Sequence, residues 1–147
     1  MKIVFTKMSD DEHAVRVIRT DGSEDSSVLN SRSFLRHDLA HFAVESELRI
    51  ARGYWGSVAQ GTALAGSNFS GSDIAKAESL AGPIQTLMRL EENEDKYLSL
   101  LERVLPEAAT NDLAARIRDR VLKLLGHWKA TPFGGDMEFE WDENIST

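Results

Sequence analysis

The sequence predicts an α+β fold that is predominantly helical, with a small antiparallel sheet formed by the N-terminal hairpin and the C-terminal strand. Three observations predict this class. The N-terminal region has strand-like runs rich in Ile, Val, Phe and Thr, which turn residues separate. The middle of the chain carries apolar residues at helical spacing. Residues 136–142 alternate apolar and acidic side chains, which is typical of a strand with one buried face.

The N-terminal region predicts a hairpin and a short further strand. Residues 2–7 form the first strand, and residues 13–20 form the second. An Asp-Gly dipeptide then marks a turn, and a short third strand is expected around residues 26–29. His13 lies in the second strand, where we expect its side chain to be exposed.

Five helices are predicted in the middle of the chain. The first is expected to have Ser33 as its capping residue and Gly53 as its stop signal. Pro83 falls inside a helical pattern, so we expect a kink or the start of a new helix there. The composition of residues 66–72 predicts a flexible loop. The helices are expected at residues 34–51, 57–65, 73–90, 94–105 and 111–130.

The composition indicates one domain spanning residues 1–147, which is long enough to bury a core without cross-links. The chain has no cysteine, so any transition-metal site must use His, Asp or Glu. The net charge of −7 disfavours nucleic acid and anionic membrane surfaces as partners. No apolar run approaches the roughly 20 residues of a membrane span. No signal-peptide pattern is found either, so a cytoplasmic protein is expected.

The segment with the greatest chemical content lies in the first predicted helix and has the pattern His-Asp-x-x-His. His37 and His41 are two of the four histidines of the chain, and Asp38 and Glu45 accompany them. At about 100° per residue, His41, Glu45 and Asp38 lie about 40°, 80° and 100° from His37 around the helix. The four side chains therefore share roughly one quadrant of the helix surface.

This geometry leads to a metal hypothesis. Two neutral imidazoles at this spacing can bind one divalent metal ion such as zinc or manganese, with His37, His41 and Glu45 as the ligands. Asp38 replaces the general-base glutamate of the zinc-peptidase pattern His-Glu-x-x-His, which makes it a candidate catalytic residue. Its side chain is one methylene shorter than that of glutamate, which reduces its reach to a metal-bound water.

A structural interpretation of the same segment stays open. Val44 and Leu48 share the histidine face, so the two imidazoles can equally be buried and hydrogen-bonded without a metal. Tyr54 and Trp55 follow the helix between two glycines and are candidates for the wall of a pocket beside His41. Aromatic residues at such a corner also serve packing alone.

Two resemblances arise from these motifs. The runs at residues 37–45 and 53–56 and the Gly-Gly-x-Met-x-Phe-x-Trp ending at residues 134–141 together resemble a group of small bacterial proteins with no established activity. That resemblance spans most of the chain and implies a strand-rich start. The His-Asp-x-x-His run is also similar to the beginning of the metal motif of the ubiquinone-biosynthesis scaffold family, which has a Glu twelve residues after the second His. The residue at that place here is Gly53, so the function of that family is not implied.

These observations support two hypotheses of different classes. The first is a small cytosolic bacterial binding or regulatory domain that can self-associate into a homo-oligomer. The alternative is a metal-binding or metal-dependent hydrolase-like protein in which His37 and His41 bind the ion and Glu45 or Asp38 completes the ligand set. The sequence indicates no particular substrate or protein partner.

Overall fold

The computed structural model describes residues 1–65, 69–89, 94–104, 106 and 109–146. Within these residues the chain forms one four-stranded antiparallel sheet and five α-helices, and helices cover one face of the sheet. The predicted α+β class, with helices predominating, is confirmed. Part of the loop predicted at residues 66–72, namely residues 66–68, lies outside the described residues.

The two ends of the chain build the sheet together. Its strands are β1 (Lys2–Lys7), β2 (Glu12–Ile18), β3 (Glu24–Asn30) and β4 (Asp136–Glu140). They lie in the order β3-β2-β1-β4, and every neighbouring pair is antiparallel. Because β1 pairs with both β2 and β4, the C-terminal strand joins the N-terminal hairpin as the sequence predicts.

One face of the sheet is apolar and packs against the helices. Phe5 lies opposite Val15 on one side and opposite Met137 on the other, and all three side chains are buried. His13 lies on the same face and is also fully buried, between the rings of Phe5 and Trp128. The expected exposure of His13 is therefore wrong, because the two-residue period of a strand places it on the same face as Val15.

The helices are α1 (Ser31–Leu48), α2 (Tyr54–Ala59), α3 (Ser72–Arg89), α4 (Glu94–Val104) and α5 (Asn111–Ala130). A short 3₁₀ turn at Glu143–Ser146 follows β4. Helix α5 has the predicted bounds, whereas α2 lies earlier in the chain than the predicted residues 57–65. Among the described residues, each helix is too short or too polar to traverse a membrane.

Both ends of α1 are set by specific hydrogen bonds. Asn30, rather than Ser33, is the capping residue, since its side-chain oxygen accepts the backbone N–H of Ser33 at 3.2 Å. Arg49 adopts the left-handed conformation with φ 55°, and its N–H donates to the carbonyl of Glu45. Helix α1 therefore ends before residue 51, and Gly53 becomes the residue that precedes α2.

Helix α3 continues through Pro83, so no new helix starts there. A proline inside a helix removes one backbone hydrogen bond and disfavours continuation. The buried side chains Ala77, Leu80, Ala81 and Ile84 form an apolar stripe on both sides of this position. Packing of the stripe against neighbouring helices outweighs the local cost of the proline.

Helix α1 lies between the sheet and the other helices. Leu39 and Phe42 belong to the apolar cluster that contains the inner face of the sheet. Ala40, Ala43 and Val44 belong to a second cluster with residues of α3, α4 and α5. A helix that is covered on two sides has little room for polar groups, so each buried polar side chain that it carries requires an internal partner.

Candidate metal site between helices α1 and α3

Helix α1 buries three polar side chains among these apolar neighbours. The exposed fraction is 2% for Asp38 and 0% for both His41 and Glu45. Removing such a group from water costs about 2–7 kcal/mol when nothing compensates for the lost hydration, and more when the group is charged. The residues that contact these three side chains therefore define the candidate site.

His37, His41 and Glu78 bring three ligand atoms together. Nε2 of His41 lies 3.2 Å, and Nε2 of His37 lies 3.5 Å, from the same oxygen of Glu78, Oε1. One ligand atom from each of the three residues lies within 4.8 Å of the other two. The four-residue spacing on α1 places the two imidazole rings side by side, with centroids 4.5 Å apart. Packing of α3 against α1 adds the carboxylate.

A carboxylate holds the other nitrogen of each imidazole. Nδ1 of His37 lies 2.9 Å from Oδ1 of Asp38, and Nδ1 of His41 lies 2.9 Å from Oε2 of Glu45. Because a carboxylate only accepts hydrogen bonds, Nδ1 of each ring carries a proton and donates it to its carboxylate. When the ring is neutral, the lone pair of its Nε2 points toward Glu78. Carboxylates orient metal-binding histidines in this same way in known metal sites.

Three donors fix the carboxylate of Glu45. Besides His41, the backbone N–H of Tyr54 donates to Oε2 and the backbone N–H of Trp55 donates to Oε1, each at 2.9 Å. Burial raises the pKa of Glu45, while these three partners act in the opposite direction. Gly53 permits this arrangement, because a Cβ atom at that position would overlap the carboxyl carbon of Glu45.

Acidic groups dominate the electrostatics of the site. Burial lowers the pKa of His37, but the hydrogen bond and charge of Asp38, together with Glu78, outweigh burial and raise the pKa above its ordinary value. A divalent cation and a proton compete for the same ring nitrogen. An acidic environment that favours a proton on His37 therefore also favours a metal cation.

A cavity of about 390 Å³ opens beside His37 and Glu78. The ring of Tyr54 lies 6.4 Å from that of His37 and packs against Phe69 at 4.7 Å. The lining is mostly apolar, and Asp38 is a further polar group in it. The volume is that of a pocket for a small organic ligand. The apolar lining residues are Leu29, Phe34, Leu64, Ala65, Phe69 and Ile74.

The carboxylate that lies between the two histidines is one that the sequence analysis did not single out. Glu45, the predicted third ligand, contacts Nδ1 of His41, which is the nitrogen that faces away from Glu78. Glu78 carries no local signal, because it belongs to a different helix and only tertiary packing places it here. Its position next to the buried Ala77 in the sequence indicates only that Glu78 lies at the edge of the apolar stripe of α3.

The structure places the remaining predicted residues around the same centre. Asp38 and Tyr54 line the cavity. Trp55 instead lies in the core, fully buried, and its indole N–H donates to the backbone carbonyl of Asp38 at 2.9 Å. Trp55 thus packs on the core side of α1 and holds the segment of that helix that carries the site.

Two imidazole nitrogens and one carboxylate oxygen are a donor set with known chemistry. Zinc sites with three protein ligands retain an open position for water or substrate, and non-haem iron sites use two histidines and one carboxylate. A zinc ion in such a site polarises a carbonyl group or lowers the pKa of a bound water. The chain therefore presents the ligands for this chemistry next to a cavity of suitable size.

Comparison of the chain with protein-family models, with curated proteins and with solved structures gives no match. The functional assignment therefore depends on the geometry of the site. Four expectations from the sequence stay predictions. They are the resemblance to small bacterial proteins, the cytosolic location, the lack of a nucleic-acid partner and homo-oligomerisation.

Proposed function

We propose that the protein binds one divalent transition-metal ion, zinc in the first instance, through His37, His41 and Glu78. One observation carries the proposal. Both Nε2 atoms face a single carboxylate oxygen, while both Nδ1 atoms contact carboxylates of Asp38 and Glu45. Metal-binding histidines need this combination of an oriented ring and a free second nitrogen.

The contact between His41 and Glu78 supports the presence of a cation. Nε2 of His41 is buried and has no hydrogen-bond partner within the described part of the chain, although Oε1 of Glu78 lies only 3.2 Å away. A neutral imidazole nitrogen and a carboxylate oxygen both present lone pairs, which repel each other in a buried site. Either a proton or a metal ion between them removes this repulsion. A metal ion does so for both histidines at once.

The donor set favours zinc over harder metals. Imidazole nitrogens suit zinc, copper, iron and nickel, whereas magnesium and calcium prefer oxygen ligands. With three protein ligands, a zinc ion keeps a fourth position for water or for a ligand in the adjoining cavity. We therefore extend the proposal to metal-assisted binding or hydrolysis of a small molecule, with Asp38 as the candidate general base.

Metal analysis of the purified protein tests the proposal. We expect one zinc ion per chain after incubation with zinc and extensive dialysis, measured by inductively coupled plasma mass spectrometry. The apo protein with cobalt(II) should show the visible absorption of a four- or five-coordinate ion. A chain that retains no zinc and gives only the spectrum of hydrated cobalt contradicts the proposal.

Matched variants identify the ligands. Glu78→Gln and His37→Ala should each weaken zinc binding by more than the roughly 10-fold to 100-fold effect of losing a residue that only orients a ligand. Glu102→Gln on α4 and His127→Ala on α5 are the controls, because both side chains are exposed and neither belongs to the site. Equal zinc affinity in Glu78→Gln and the controls would show that the ion binds elsewhere. Circular dichroism establishes that each variant is folded.

A further inference from the structure

Asp38 has an oxygen that neither binds the proposed metal ion nor orients His37. The side chain is 2% exposed and lines the cavity, and its Oδ1 accepts the hydrogen bond from Nδ1 of His37. Its Oδ2 has no hydrogen-bond partner in the part of the chain that the structure describes. A buried carboxylate oxygen without a donor is costly. Asp38 is one of the residues that line the cavity, so a ligand whose donor reaches this oxygen would be favoured.

The charge around the cavity restricts the kind of ligand. Asp38, Glu45 and Glu78 lie within or next to the site, so three carboxylates surround a proposed ion of charge two. An anionic ligand would add a further negative charge beside these carboxylates. The apolar lining of the cavity would screen that repulsion only weakly. The apolar lining, with Phe69 packed on Tyr54, suits an uncharged molecule that has an aromatic or branched apolar part.

We infer that the cavity binds an uncharged carbonyl compound that carries an N–H donor, such as a carboxamide with an aromatic group. Its N–H donates to Oδ2 of Asp38, its carbonyl oxygen faces the metal held by His37, His41 and Glu78, and its apolar part fills the cavity. This inference rests on the proposed metal site and specifies the class of ligand that the site takes.

Three probes of nearly equal shape test the inference on the zinc-loaded protein. Benzamide offers an N–H, acetophenone has a methyl group in its place, and benzoate has a negatively charged oxygen there. Binding is measured by titration of protein amide chemical shifts. We expect benzamide to bind at least about tenfold more tightly than the other two, because only benzamide donates a hydrogen bond to a buried carboxylate.

Two variants connect this preference to the cavity. Asp38→Asn keeps an acceptor for His37 and places an amide donor at the position of Oδ2. The preference for benzamide should then disappear, and benzoate should bind more tightly. Ile74→Trp on α3 fills the cavity without altering a metal ligand, so it should weaken binding of benzamide at least about tenfold while zinc content stays the same.

The outcomes separate the two proposals. Zinc-loaded protein that binds the three probes equally, or a benzamide preference that survives Asp38→Asn, overturns this inference and leaves the metal site standing. Benzamide binding unaffected by Ile74→Trp also overturns it, because the probe then binds outside the cavity. A chain that binds no zinc overturns both proposals, and the metal analysis reveals that outcome independently of the probes.

Discussion

Two histidines of this chain are fully buried, and their partners separate a structural role from a chemical one. Nδ1 of His13 lies 2.9 Å from the hydroxyl of Ser31, and Nε2 of His13 has no hydrogen-bond partner among the residues that the structure describes. His41 has a carboxylate at each nitrogen, Glu45 at one and Glu78 at the other. An imidazole between two carboxylates needs a second proton or a metal ion at one of its nitrogens, whereas an imidazole beside a hydroxyl can stay neutral.

The burial of His13 predicts a dependence of stability on pH. Burial lowers the pKa of His13 below its ordinary value of about 6.5, and the charge of Asp38 opposes this only in part. The unfolded chain therefore binds a proton more readily than the native state does. The stability contributed by neutral His13 is present above the unfolded pKa of about 6.5 and is lost as the pH falls below it.

His13→Asn should reduce the dependence of the free energy of unfolding on pH, while the asparagine keeps a hydrogen-bond partner for Ser31. Urea unfolding at about pH 7.5 and about pH 5.5, with a chelator present, measures the loss of stability on acidification. We expect a smaller loss in the variant than in the wild type. The raised pKa values of His37 and Glu45 act in the opposite direction and are common to both proteins. Equal losses would show that His13 is accessible to protons in the native state.

At the scale of elements, the turn between α1 and α2 is what assembles the site. Arg49 ends α1 in the left-handed conformation, and the chain then reverses so that the first residues of α2 donate backbone hydrogen bonds to Glu45. Gly53 lies against that carboxylate with no space for a side chain. The orientation of His41 thus depends on how closely α2 approaches α1.

Gly53→Ala should damage both stability and metal binding. The added methyl group must displace Glu45 or the start of α2, so we expect a loss of about 1–3 kcal/mol in the free energy of unfolding. Loss of the carboxylate that orients His41 should weaken zinc binding by about 10-fold to 100-fold. Chemical denaturation and zinc titration measure the two effects.

Gly126→Ala on α5 is the matched control for this substitution. A Cβ atom at that helical position meets nothing within 4 Å. We expect unchanged zinc affinity and a gain in stability of up to about 1 kcal/mol from the better helix propensity of alanine. Zinc affinity that falls equally in both variants would contradict the proposed link between Gly53 and the site.

The elements whose signals are local could be predicted from the sequence. The apolar stripe of α5 and the alternation in β4 depend only on neighbouring residues. Helix α5 has the expected bounds, and β4 begins at the expected residue and ends two residues earlier than predicted. The start of α1 was misplaced because Asn30 and Ser33 are both acceptable capping residues, and only the backbone path decides between them. The new helix expected at Pro83 does not form, because tertiary packing of α3 outweighs the local cost of the proline.

At the scale of the whole molecule, the site depends on the position of α1 between the sheet and the other helices. The sequence could place His37 and His41 on one face of a helix, because that relation is fixed by spacing alone. It could not place Glu78, because the contact between α1 and α3 joins segments that no motif connects. Spacing on α1 favours Glu45 as the third ligand because it shares the helix with both histidines. The backbone donors in α2 that bind Glu45 are as non-local as Glu78.

The central claim is that one metal ion lies between α1 and α3. A crystal of the zinc-loaded protein, measured on both sides of the zinc absorption edge, tests it most directly. We predict a single anomalous peak in each chain at about 2.0–2.2 Å from Nε2 of His37, Nε2 of His41 and a carboxylate oxygen of Glu78. The absence of a peak there, with both imidazoles hydrogen-bonded directly to Glu78, would contradict the claim.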